Sequence, residues 1–149
     1  MRRAALIPIL CLLSVCGEPS APRPLDLTGS WSGPGTDRLG PETISLTITQ
    51  NGNTLWGTAA IRPENPDDGS CVSCHKNKIG SVGGTAYGAT IRLTMFFAAG
   101  ASGDPTPICS ITLVGEKGTA GASAIALPYT ATDPCEGTMD GTISLTRKP

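Results

Sequence analysis

From Glu42 to Gln50 the chain reads Glu-Thr-Ile-Ser-Leu-Thr-Ile-Thr-Gln, with Ile44, Leu46 and Ile48 on one face and Thr43, Ser45, Thr47 and Thr49 on the other. A period of two is the period of a strand with one face buried and one in water. Asn51-Gly52-Asn53 follows at once, and these residues accept the positive φ angles that a tight hairpin requires. A lone hairpin is at best marginal in water, so this one demands further strands to close over its apolar face.

The rest of the chain supplies them. Leu25 to Gly33 is expected as the first strand, followed by a Gly/Pro-rich loop to Pro41, the patterned second strand and a return strand over Thr54 to Arg62. Gly80 to Tyr87 and Ala89 to Phe97 form a hairpin about Gly88, with Ile91, Leu93, Met95 and Phe97 sharing a face. Ile108 to Gly115 and Ala120 to Leu127 form another across Glu116-Lys117-Gly118-Thr119, and Gly137 to Arg147 is the last strand. Eight short strands imply an all-β sandwich or barrel. Short turns alternate with long loops, which favours an eight-stranded antiparallel up-and-down β-barrel. The four long loops would gather at one end, giving a cup with a mouth.

The 149 residues are enough for one domain with a core of its own. Charged residues make up 15% and aromatics only 4%, with no basic stripe, so nucleic acid is not an expected partner. Arg2-Arg3 and the apolar run Ala4 to Val15 have the pattern of an export signal, and the run is too short to span a bilayer. Without Arg2 and Arg3 the acidic residues outnumber the basic ones.

The end of that run, Leu13-Ser14-Val15-Cys16, resembles the lipobox of bacterial lipoproteins. The resemblance implies a signal peptide over 1–15, a lipidated Cys16 and a tether over 16–24, with the barrel domain at 25–149. It places the protein in the bacterial cell envelope, held to a membrane by its lipid; a monomer is expected. The alternative is an ordinary secretory signal cut after Gly17. Either route leaves the cytosol, where disulfides are permitted.

Gly29-Ser30-Trp31 resembles the Gly-x-Trp signature of the calycin superfamily, the lipocalins and avidins. In that group a basic residue of the last strand packs over the tryptophan, and Arg147 stands where that partner would be. The resemblance implies a closed barrel end around Trp31, and it extends to Leu55-Trp56-Gly57-Thr58. Biotin binding does not carry over, because the only tryptophans are Trp31 and Trp56.

Beyond the leader stand Cys71, Cys74, Cys109 and Cys135. Cys109 and Cys135 flank the same end of neighbouring strands and are expected to form a disulfide across the mouth. Cys71-Val72-Ser73-Cys74-His75 has the Cys-x-x-Cys-His spacing of c-type haem attachment and contains the sole histidine. Haem c needs two thiols for its vinyl groups and an axial histidine; Met95 or Met139 could supply the sixth ligand. The competing reading is a second disulfide in a scaffold loop, and a zinc site with Asp67 or Asp68 is a third. No hydrolase triad, Gly-x-Ser-x-Gly elbow or acid/base pair of carboxylates is evident. The expected function is non-enzymatic: a binding or structural barrel, able to hold a small apolar ligand at its mouth, or alternatively a haem-carrying electron-transfer or sensor protein.

Overall fold

The computed structural model describes residues 25–64, 77–100 and 109–149. They form one closed antiparallel barrel of eight strands, each paired with its neighbours in sequence and the last with the first. The strands are β1 (Gly29–Asp37), β2 (Gly40–Asn51), β3 (Thr54–Pro63), β4 (Lys78–Tyr87), β5 (Thr90–Phe97), β6 (Ile111–Ala120), β7 (Ala124–Asp133) and β8 (Gly137–Arg147). The alternation that marks β2 holds on nearly every strand: apolar residues inward, Thr and Ser outward. Closure leaves no open sheet edge.

Three boundaries differ from the sequence expectation. The Gly/Pro-rich stretch after Gly33 is strand, and β1 turns into β2 across Arg38 and Leu39 alone. Pro34 is accommodated because β1 breaks its pairing with β8 there, passing from Ser32↔Thr146 to Gly35↔Ile143. A proline can sit in a sheet only where its missing N–H is not called upon. Glu116-Lys117-Gly118-Thr119 is not a turn but a bulge inside β6; the turn lies at 121–123. Pro128, expected in a loop, therefore falls within β7 opposite that bulge, and the β7–β8 connection shrinks to Pro134, Cys135 and Glu136.

The four-loop mouth is corrected accordingly. At the end where β1 finishes, two connections are tight and two are long, between Glu64 and Asn77 and between Phe97 and Ile111. This is the loop end. The other, closed end carries the short turns at Gly52-Asn53, Gly88-Ala89 and 121–123.

The interior is a core. Ile44, Leu46, Ile48, Leu55, Ile61, Ile91, Leu93, Met95, Phe97, Leu113, Ile125, Leu127, Ile143 and Leu145 are all buried, so no water-wide space opens along them. Eight strands enclose just enough room for side chains to fill it. Inward glycines make room for large neighbours: a Cβ on Gly115 would strike Leu127, and one on Gly141 would strike the Tyr129 ring.

Candidate functional site

The two barrel ends are built from different chemistry. At the closed end, Leu27 is wholly buried beneath Trp31, whose indole Nε1 donates to the Leu27 carbonyl at 2.9 Å. The Gln50 side chain clips the incoming chain, accepting from Leu27 N at 2.8 Å and donating to Leu25 O at 3.0 Å. Arg147 pairs with Trp31 across β8 and β1, and its guanidinium carbon lies 4.4 Å from the ring centroid. The same guanidinium donates to the carbonyls of Thr28 and Asp26, both at 2.6 Å, and to that of Ala122 at 2.8 Å. Gly29 adopts φ +140°, outside the comfortable range of L residues, and a Cβ there would press on the Arg147 fork. The Gly-x-Trp stretch is thus a structural lock.

The loop end contains the buried polar groups. Glu42 from β2, Lys78 from β4, Tyr129 and Asp133 from β7 all face inward, with Glu42 and Lys78 each 1% exposed. The apolar inward faces of the strands therefore give way to charged and polar groups at this end. Strand parity alone turns these residues inward, because they share faces with Ile44, Val82 and Ala131. The alternating pattern carries this signal for Glu42 and Asp133, each of which extends an apolar face by one more step toward the loop end.

The Tyr129 hydroxyl sits between two carboxylates, 3.1 Å from Glu42 Oε1 and 3.3 Å from Asp37 Oδ2. Burial first, then the negative charges of Glu42 and Asp37, push its ionisation far above the ordinary tyrosine value. As a neutral phenol it can donate its one proton to either carboxylate. Burial lowers Lys78 below the ordinary ammonium value, and the charge of Asp133 opposes that shift. Asp133 Oδ1 also accepts from the backbone of Cys135 (2.8 Å) and Glu136 (2.6 Å), shaping the β7–β8 turn. Arg38, at the tip of the β1–β2 turn, pairs with Glu136 through both its carbonyl and its carboxylate.

A disulfide joins Cys109 to Cys135 at this end, with Cα atoms 6.0 Å apart. It ties the segment before β6 to the β7–β8 turn. Met95 and Met139 have the inward orientation expected from their parity, and both thioethers are packed in the core. Cys16, Cys71, Cys74, His75, Asp67 and Asp68 lie outside the described residues. Glu64 and Asn77, which bracket the Cys-x-x-Cys-His stretch, both lie at the loop end. Among the described residues no group of three or more His, Cys, Asp or Glu could hold a metal ion.

A closed eight-stranded up-and-down barrel, locked at one end by a Trp–Arg pair, is compatible with the calycin-like architecture. No family model matches the chain, and no curated protein matches it either.

Proposed function

We propose that this is an exported, lipid-anchored, non-enzymatic barrel of the bacterial cell envelope whose loop end is its binding face. The observation that supports this reading is the polarity of the barrel. The chain enters at the closed end, where Gln50, Trp31 and Arg147 hold it. Both long connections and the Cys109–Cys135 bridge belong to the opposite end. With Cys16 lipidated, a tether of a few residues keeps the closed end within roughly 30 Å of the bilayer and points the loop end away. Because the depth of the barrel is filled by its own side chains, a small ligand would sit at the rim. The buried Glu42, Lys78, Tyr129 and Asp133 lie beneath that rim, closed to solvent.

Cys16→Ser should release the protein from the membrane fraction. A mature N-terminus at Glu18 would remove the anchor.

The second reading is haem attachment at Cys71, Cys74 and His75. It is favoured by the spacing and by the emergence of that connection at the loop end. Protein produced in a host with an active haem-attachment pathway discriminates the two. A Soret band that survives acid–acetone extraction indicates thioether-bound haem; a colourless product leaves the loop as scaffold or binding surface.

A further inference from the structure

The outer wall over β3, β4 and β5 carries large apolar side chains that the core does not use. Trp56 is 46% exposed, Phe96 49% and Ile79 50%. Their positions follow from the register. Trp56 pairs with Gly83, which pairs with Thr94; Thr58 pairs with Ser81, which pairs with Phe96; Ala60 pairs with Ile79. Trp56 and Phe96 therefore stand two strands and two residues apart, roughly 12 Å in a sheet of ordinary spacing. Gly83 lies on the floor between them, and a Cβ built there would meet only the Leu55 carbonyl, at 3.9 Å. The rim is hydroxylic: Thr49 and Thr58 beside the indole, Ser81 and Thr94 in the middle, Thr112 beside the phenyl ring.

From this arrangement we infer that the β3–β5 wall is a docking platform for a neutral glycan chain. Three half-exposed side chains present only about 300 Å² of apolar surface. That is far below the roughly 800 Å² per partner of a stable protein interface, and the wall of a barrel is convex. An extended, narrow ligand loses nothing by convexity. No ionised side chain stands between Trp56 and Phe96, and Arg92, which flanks them on β5, is paired with Glu116, so the face favours an uncharged partner. Sugar rings meet both remaining features. Their C–H faces stack on the electron-rich faces of aromatic rings, and their hydroxyls exchange hydrogen bonds with Thr and Ser. The notch over Gly83 admits a ring between the two aromatics. This inference is independent of the lipid anchor and of what the loop end binds.

Cellotetraose and chitotetraose are suitable probes, with binding followed by calorimetry and by tryptophan emission. Trp31 is buried under Arg147, so a ligand-induced blue shift reports Trp56. Saturable binding of at least one of them is expected, weakened about tenfold or more by Trp56→Ala and by Phe96→Ala. Gly83→Val should block binding while preserving the fold, since it fills the notch from open space. Tyr87→Ala, at a turn away from the platform, should bind as the parent does. The inference is overturned if neither tetrasaccharide binds, or if Trp56→Ala and Gly83→Val bind normally. A concentration-dependent dimer abolished by Phe96→Ala would overturn it too, assigning the wall to a second copy of the chain.

Discussion

Arg147 lies over the Trp31 ring at 4.4 Å while its fork reaches the carbonyls of Asp26, Thr28 and Ala122. One side chain thus joins the incoming chain, the first strand, the β6–β7 turn and the last strand. Arg147→Ala should lower stability by about 2–3 kcal/mol, read as a shift of the urea midpoint. Arg147→Lys should recover less than half of that, because a point ammonium cannot serve three carbonyls and a ring together.

The Cys109–Cys135 bridge spans 26 residues of sequence. In the chain-entropy description, removing a loop of that length costs about 3 kcal/mol. Cys109→Ala with Cys135→Ala should lose that amount by denaturant titration without altering the far-ultraviolet spectrum. Non-reducing peptide mapping should link Cys109 to Cys135; a fragment linking Cys71 to Cys135 would refute the pairing.

Tyr129 provides a pH signature. Its folded-state ionisation is raised above the ordinary 10.0, so above pH 10 the folded barrel keeps a proton that the unfolded chain releases. Stability should therefore fall through that range, with this group contributing up to about 1.4 kcal/mol per pH unit. Tyr129→Phe should flatten that alkaline decline. At neutral pH it should cost about 1 kcal/mol, because the hydroxyl's hydrogen bond to Glu42 Oε1 is lost.

Lys78 acts with the opposite sign. Its ionisation is lowered from 10.5, so between the lowered value and 10.5 the unfolded chain binds the proton that the folded barrel has given up. Stability from this group rises with pH across that window. Lys78→Met removes that rise. Denaturant titrations of parent and variant between pH 7 and pH 10.5 check this, the parent gaining stability relative to the variant as the pH rises.

Gly141→Ala probes the packing of the Tyr129 ring. The new methyl would collide with that ring, and overpacking of this kind costs about 1–3 kcal/mol. If the variant matches the parent in thermal unfolding, the ring does not fill the space over β8.

The order of the strands, their antiparallel closure and the inward faces of β2 and β5 were all legible in the sequence. Period-two alternation and Gly/Asn turn chemistry are local properties of the chain. So was the pairing of Trp31 with Arg147, by resemblance. What local rules could not supply was where strands end. Gly and Pro at 33–35 and Gly118 have the composition of loop, yet they are strand, because neighbouring strands hold them and the pairing breaks where proline cannot donate. Glu42, Lys78 and Asp133 hold inward positions by parity, yet a local reading takes an isolated charge as a sign of solvent. Only closure of the barrel decided otherwise. It carries residues on β2, β4 and β7, far apart in the chain, to one end of a shared interior, where Tyr129 hydrogen-bonds with Glu42 and Asp37 and the charge of Asp133 acts on Lys78.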